Sequence, residues 1–559
     1  MRNLKWLVYF LRVSIALLPI IIHAQTSKAN LESKIDSLFS DIGNKQVPGS
    51  AVLVVKDGEV LLNRGYGLAS LEYRIPIRPT TVFDIASVSK QFVGFAISTL
   101  IEQGKISLTD DIRKYIPELH DFGHLITIEH LVHHTSGIRD WTGTLAMGGW
   151  GKDDTIKFDQ ILRMAYNQRE LNFIPGEEFK YSNTGYNLLV EVVQRVTGVS
   201  FREWTHNNIF QPLGMNNSFF LDDLTEIIPN KANSYYKDEN GIYHTNINNT
   251  SAPGSSSLNT TTEDLAKWII NLDNKKIGGK SVIERMYQTI NLNNGEPNTY
   301  SYGFWVGEFR GAFWVDHTGG WESYRTYLTH FPDKHLSVVI LNNNDQGAFN
   351  HAMEIVGLFI PETDAKEPAK KNKVSKNKRV KIKSEILEEY VGTYKFGPAW
   401  YVHITRKDAN LYAQETGEEN QPLTPNSKTS FEGQDFGNSL DFTRNENDEI
   451  SGINYNGKIR RRVNGRKNLD MATLSEFEGE YYSDELKTSY MVMKDENGIS
   501  LNHFRQGRSK LLYAFNDDFI PEKEWWTQSI EFVRDKSENI VGFKATEGGA
   551  RNQMFNKTN

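Results

Sequence analysis

The 559-residue chain is long enough for three or four domains at ~150 residues each, and with 38% hydrophobic and 12% aromatic residues it has the composition of a folded protein, not a disordered one. Its net charge of −7, from 63 basic and 70 acidic side chains, sets up no strong overall field and argues against nucleic acid as a partner. The absence of cysteine excludes disulfides, a thiol nucleophile and thiolate metal ligands.

At the N-terminus, Arg2 and Lys5 precede an apolar stretch that resumes after Arg12 and runs from Val13 to Ile22, with Ala24 ahead of Gln25. This is the pattern of a signal peptide over residues 1–24. Read instead as an uncleaved anchor, it would place Arg12 at high cost inside the membrane. A periplasmic or secreted protein is expected, with no membrane span after signal removal.

Leu31, Ile35, Leu38, Phe39 and Ile42 keep helical spacing. Gly49 to Gly67 predicts a hairpin: an apolar run at Ala51–Val55, a turn at Asp57-Gly58 and a second strand around Val60–Asn63. Helices follow over Val88–Gln103, ended by Gly104, and Tyr186–Val196, ended by Gly198. Strands return at Tyr302–Val306, Ala312–Val315, Tyr324–Phe331 and Leu336–Leu341. Strands at both ends with helices between predict an α/β domain with an antiparallel sheet over residues 25–361.

Residues 362–384 form a basic linker: positions 366–383 carry nine Lys or Arg against one Glu. A repeat follows. Leu387, Glu389, Tyr390, Gly392 and Tyr394 match Leu474, Glu476, Phe477, Gly479 and Tyr481, and Leu440–Arg444 matches Ile530–Arg534. Short alternating runs between Asn, Asp and Gly predict two small all-β, lipocalin-like barrel modules, residues 385–466 and 467–559.

Ser87 stands three residues before Lys90 at the mouth of the 88–103 helix, so both lie on one helical face. The same spacing at Ser234/Lys237 and Ser375/Lys378 opens no helix. At a helix N-terminus the hydroxyl has a cation one turn away and free backbone amides beside it. A partly desolvated ammonium can lose its proton and act as base to the serine. Two further patterns occur once each: Tyr181-Ser182-Asn183 after Pro175-Gly176, and His317-Thr318-Gly319-Gly320 following the strand at Ala312–Val315. A phenol can relay a proton, an amide can orient a carbonyl, and glycines let a strand edge approach a bound acyl group.

With Phe83-Asp84-Ile85-Ala86-Ser87-Val88-Ser89-Lys90, the loop His134-Thr135-Ser136-Gly137 and Pro212-Leu213-Gly214-Met215, the stretch from Leu31 to Asn343 resembles the serine β-lactamase and penicillin-binding-protein superfamily. The branch it resembles holds class C β-lactamases, D-aminopeptidases and related esterases. The resemblance implies Ser87 as acylated nucleophile, Lys90 as its base, Tyr181 in the proton traffic and Asn183 on the substrate amide. It also implies an oxyanion hole from the Ser87 and Gly320 amides, with His317, Thr318, Gly319 and Gly320 lining the substrate site.

His317 replaces the Lys that true lactamases of this branch carry. With a reference pKa near ~6.5, an imidazole in the pocket would change charge between pH 5 and 8 and favour peptides or esters over β-lactams. Gly254-Ser255-Ser256-Ser257-Leu258 departs from a more glycine-rich loop in relatives and receives no role. His120, His124, His130, His133 and His134 crowd together without a carboxylate helper motif, so no metal is implied. The expected function is hydrolysis of an amide or ester in a small peptide or ester substrate, with no cofactor; the oligomeric state is open. The alternatives are a catalytically degenerate cell-wall or glycan binder and a carbohydrate deacylase.

Overall fold

The uninterrupted apolar run Ala51–Val55 needs cover on both faces, and it has it: β1 (Ser50–Lys56) is buried along almost its whole length at the inside of a seven-stranded antiparallel sheet. The other strands are β2 (Glu59–Tyr66), β3 (Tyr300–Ser301), β4 (Phe304–Phe309), β5 (Ala312–Trp321), β6 (Tyr324–Phe331) and β7 (Leu336–Asn342), in spatial order β3-β4-β5-β6-β7-β1-β2. β1 turns into β2 at Asp57-Gly58 and pairs on its other side with β7, from Ser50↔Asn342 to Lys56↔Leu336. The first and last strands of the unit are therefore neighbours within the sheet.

The structure, a computed structural model, describes residues 29–43, 45–151, 153–362 and 382–558, apart from 417–418, 434–435, 437–438, 466–468, 470–472 and 523–526. The expected signal peptide and nearly all of the basic linker lie outside the described residues. Among these, no helix is long and apolar enough to cross a membrane.

One sheet face is covered by the N-terminal helix α1 (residues 29–38) and by α5 (Phe349–Gly357), whose Ile35, Ile355 and Val356 join Val52, Val54, Tyr327 and Ile340 in one core. The helices α2 (Lys90–Glu102), α3 (Asn183–Thr197) and α4 (Thr262–Asn274) carry the rest of the unit, and α4 packs on β1 and β2. α2 is buried on every side, including Lys90, Gln91 and Ser98. It is also approached closely by the loop after β3, because a Cβ at Gly94 would lie 2.0 Å from the Tyr302 carbonyl oxygen. α3 starts at Ser182, whose Oγ accepts the Gly185 N–H, and ends at Gly198 in the left-handed region, φ 76°.

The chain divides into two compact units, residues 1–138, 153–166 and 173–365 in the first and 139–152, 167–172 and 366–559 in the second. The second unit holds the repeat. In its first module a nine-stranded sheet begins and ends with Gln421–Pro422 and Thr424–Pro425, so the two edges are separated in sequence only by Leu423 and the sheet is nearly closed. The second module is a closed eight-stranded barrel from Gly479–Ser483 to Ala550–Lys557, sealed by Tyr481↔Lys557 and Tyr482↔Asn556. Up-and-down strand order and full closure leave it no sheet edge. Its interior is filled by Phe477, Tyr481, Tyr490, Phe519, Phe532, Phe543 and Phe555.

The repeat residues do the same work twice. Tyr394 donates to the Tyr390 carbonyl at 2.8 Å, and Tyr481 to the Phe477 carbonyl at 2.7 Å. Tyr390 packs on Phe442 at 4.3 Å between ring centres, and Phe477 on Phe532 at 4.7 Å. Arg444 pairs with Glu389 as Arg534 pairs with Glu476, tying the end of a middle strand to the segment ahead of the first.

Candidate active site

Ser87 is the second residue of a 3-10 turn, Ala86–Ser89, that runs directly into α2. Ala86 ahead of it sits at φ 48°, a left-handed conformation costly for a residue with a Cβ. The sharp turn it makes after the short strand Phe83–Asp84 leaves Ser87 half-buried while Ala86, Val88, Ser89 and Lys90 are buried.

Lys90 is fully buried, and its Nζ lies 3.1 Å from Ser87 Oγ, 2.8 Å from Asn183 Oδ1 and 2.7 Å from the Ser255 carbonyl oxygen. The two carbonyl-type oxygens can only accept, so each takes an N–H. The third direction faces a hydroxyl, which can accept or donate. A neutral amine would keep its two N–H bonds to Asn183 and Ser255 and turn its lone pair to the Ser87 proton. That is the arrangement a base needs.

Tyr181 stands beside the same nitrogen, its ring centre 4.8 Å from Lys90 Nζ, with Tyr186 at 5.7 Å. Behind them is His134, whose ring is 4.3 Å from Tyr181 and 4.4 Å from Tyr300. His134 is itself left-handed, φ 57°. Its carbonyl accepts the Lys180 N–H at 2.9 Å and its Nδ1 accepts the Ser182 N–H at 3.2 Å, so it holds the backbone on both sides of Tyr181. Burial, and then the Lys90 charge, push its pKa well below the ordinary histidine value. The sequence offered one sign of this residue, its place in His134-Thr135-Ser136-Gly137. Of the other histidines, His130 completes a capping box with Thr127 and His133 Nδ1 bonds the Tyr300 carbonyl at 2.7 Å. Among the described residues no group of three His, Asp or Glu is placed to hold a metal ion.

Two expectations need correction at β5. The strand does not stop at Val315: it continues through His317-Thr318-Gly319-Gly320 to Trp321, paired with β6 up to Trp321↔Tyr324. Its other neighbour, β4, ends its pairing at Trp305↔Asp316, so among the described residues no strand pairs with that edge of β5 from His317 onward. Such an edge can take an extended substrate backbone. Thr318 and Gly320 are exposed, whereas Gly319 packs under the nucleophile turn, where a Cβ would lie 2.5 Å from the Ile85 carbonyl oxygen.

The second correction concerns His317, which is 2% exposed and does not present a titrating ring. Its Nδ1 faces the Thr318 carbonyl oxygen at 2.6 Å and so carries the proton; its Nε2 accepts from the Tyr300 hydroxyl at 2.9 Å. Burial, with the Lys90 charge adding to it, pulls the pKa down to about 3, so the imidazole stays neutral from pH 5 to 8. Burial also pushes the Tyr300 phenol well above its ordinary value, helped by the Tyr186 and Tyr181 phenols, which keeps it a donor.

The structure thus brings Ser87, Lys90 and Asn183 into direct contact, with Tyr181 beside Lys90 and 6.1 Å from the His317 ring. Sequence reading missed Ser255, His134 and Tyr300. The loop Gly254–Leu258, left without a role, supplies the carbonyl that holds Lys90.

The sequence pattern of the Beta-lactamase family matches residues 35–357, more than half of the chain. The chain belongs to the β-lactamase family. Within this family of serine hydrolases, it is 27% identical over 449 residues to a penicillin-binding protein of Bacillus subtilis (strain 168), covering 77% of this chain and 97% of that protein. A D-aminopeptidase of Gluconobacter oxydans (strain 621H) is 28% identical over 326 residues, covering 57% of this chain and 61% of its own length. Among solved structures, the octameric penicillin-binding protein homologue from Pyrococcus abyssi superposes with a TM-score of 0.54 at 24% identity, over 86% of this chain and 99% of that one. That likeness is one of fold.

Proposed function

We propose that this β-lactamase-family chain is an exported serine hydrolase that cleaves an amide or ester through an acyl-enzyme on Ser87, acting on a D-amino-acid-containing peptide or a small ester. The observation that carries the reading is the buried Lys90 Nζ, 3.1 Å from Ser87 Oγ and otherwise bound by two obligate acceptors. In its neutral form Lys90 takes the hydroxyl proton on its lone pair as Ser87 Oγ adds to the substrate carbonyl. The developing oxyanion is met by the backbone amides of Ser87 and Gly320. Tyr181, beside Lys90, passes the proton to the leaving group, and water then releases the acyl group from Ser87. Asn183 and the open edge of β5 align the substrate amide. The neutral His317 offers no fixed cation to a β-lactam carboxylate, which favours peptides and esters; the D-aminopeptidase relative supports the same choice.

The test is a fluorophosphonate label located by mass spectrometry, followed by a panel of D-aminoacyl p-nitroanilides, p-nitrophenyl acetate and a chromogenic cephalosporin. The label is expected on Ser87, with turnover of an anilide or ester and slow or no turnover of the cephalosporin. A label elsewhere, or undiminished turnover by Ser87→Ala, would overturn the reading.

A further inference from the structure

Two stretches of backbone must be held at a fixed separation if the Ser87 and Gly320 amides are to grip one oxygen. Both are strained. Ala86 is left-handed at φ 48°, and the two-residue turn that closes β5 onto β6, Glu322-Ser323, has φ 41° at both positions. Such turns ordinarily use Gly, Asn or Asp. Strain of this kind persists where the surroundings over-determine it.

The surroundings here are one strap of chain, residues 246–250. Asn248 Nδ2 donates to Asp84 Oδ2 at 2.9 Å, and Asp84 Oδ1 accepts the Ala86 N–H at 2.8 Å. On its other side Asn248 Oδ1 accepts the Trp321 indole N–H at 3.2 Å and the Thr250 N–H at 3.0 Å. Asn246 Nδ2 donates to Ser323 Oγ at 3.0 Å. Asp84 is wholly buried, with Lys231 as a charged neighbour and the Ser257 backbone also bonded to it. A continuous hydrogen-bonded path therefore runs Ala86–Asp84–Asn248–Trp321, one residue from Ser87 at one end and one residue from Gly320 at the other.

We propose that Asn248 is a positioning residue for the reaction: through Asp84 and Trp321 it sets the separation of the Ser87 and Gly320 amides, and so the stabilisation of the oxyanion. It touches no substrate atom. The proposal rests on the reading of Ser87 as nucleophile. An oxyanion site acts mainly in the transition state, so loosening it lowers kcat and leaves KM nearly unchanged.

The test uses the full chain, p-nitrophenyl acetate as substrate and phenylboronic acid as a probe whose serine adduct places an oxygen between the two amides. Asn248→Ala is expected to lower kcat by about 10²-fold, the scale of a misplaced catalytic contact. KM should hold within about twofold, and affinity for the boronic acid should fall by the same factor as kcat/KM. Trp321→Phe removes the indole bond to Asn248 and keeps an aromatic ring, so it is expected to act in the same direction. The double variant should lose less than the sum, because both substitutions break one path. If Asn248→Ala does not fold, Trp321→Phe alone decides. Unchanged kcat and boronate affinity in a variant whose Ser87 still takes the fluorophosphonate would overturn the role of Asn248 and leave the nucleophile standing. Failure of the wild type to label at Ser87 would instead remove the reading on which the proposal rests.

Discussion

Tyr300 donates its hydroxyl proton to His317 Nε2 across 2.9 Å, while His317 Nδ1 gives its own proton to the Thr318 carbonyl at 2.6 Å. Both ring nitrogens are engaged. A second proton would place a buried imidazolium near the Lys90 charge, which is why the pKa falls to about 3; it would also have to turn the Tyr300 hydroxyl away.

The first prediction follows from this pair. In a spectrum of the protein labelled in its histidine rings, the His317 signals should hold their neutral, Nδ1-protonated position from pH 8 to pH 5. A transition centred near the ordinary pKa of ~6.5 would show that Tyr300 does not hold the ring.

The second concerns the neighbouring residue. Asp316 is 5% exposed, and burial pushes its carboxyl up to about 7, with a Tyr327 hydrogen bond pulling the other way. Its folded pKa lies above the unfolded value of 3.8, so between the two the native state holds a proton that the unfolded chain has lost. Its contribution to stability is complete below the unfolded value and is lost as pH rises through about 7. Asp316→Asn imitates the protonated form. It should leave the melting temperature nearly unchanged at pH 4 and raise it by several degrees at pH 8. An equal shift at both values would mean that the carboxyl ionises freely in the fold.

The third separates the two glycines of β5. A Cβ at Gly319 would lie 2.1 Å from Thr326 Oγ1 and 2.5 Å from the Ile85 carbonyl oxygen, so Gly319→Ala must push β5 away from the nucleophile turn. At Gly320 the nearest atom is Arg325 Cδ at 3.7 Å, which is ordinary contact. Gly319→Ala should therefore lose ester hydrolysis by about 10²-fold or more together with thermal stability. Gly320→Ala should keep the melting temperature and raise KM by crowding the exposed edge. Equal melting temperatures for both variants would contradict the packing at Gly319.

Much of this was legible in the sequence because the signals were local. Ser87 and Lys90 lie on one continuous helical run, the 3-10 turn leading into α2, and the spacing alone puts them on one face. The barrel repeat could be read because Tyr394 and Tyr481, or Arg444 and Arg534, make equivalent bonds in the two modules and so recur at matching places. What was missed depends on residues far apart in the chain. Ser255 meets Lys90 through its carbonyl, which any residue type carries, so its identity gave no sign. The neutrality of His317 is set by burial and by the Lys90 charge, neither of which the motif contains. The end of β5 was placed too early for a related reason: the apolar run ends at Val315, whereas Gly319 lets the strand pass on under Ile85.

The last prediction tests how the second unit holds its share of the earlier chain. Arg139 is 2% exposed and fans into the closed barrel: Nη1 lies 2.7 Å from Glu485 and 3.2 Å from Gln553 Oε1, Nε donates to the Arg551 carbonyl at 2.9 Å, and Nη2 to the Asn552 carbonyl at 3.2 Å. A few residues on, Met147 reaches the barrel core and its carbonyl accepts the Tyr490 hydroxyl at 2.8 Å. Arg139→Ala strips the guanidinium from a carboxylate that is only 12% exposed, a loss of about 3–5 kcal/mol for a broken buried pair. Arg139→Lys keeps the charge without the planar fork and should recover only part of it. The measurement is hydrogen exchange on the full chain. Peptides covering Gly479–Ser483 and Ala550–Lys557 should lose protection in the Ala variant, less so in the Lys variant, while β1 and β7 keep theirs. Unchanged protection in the barrel strands would mean that the Arg139 contacts add nothing to its stability, and equal loss in β1 and β7 would mean that the two units do not open separately.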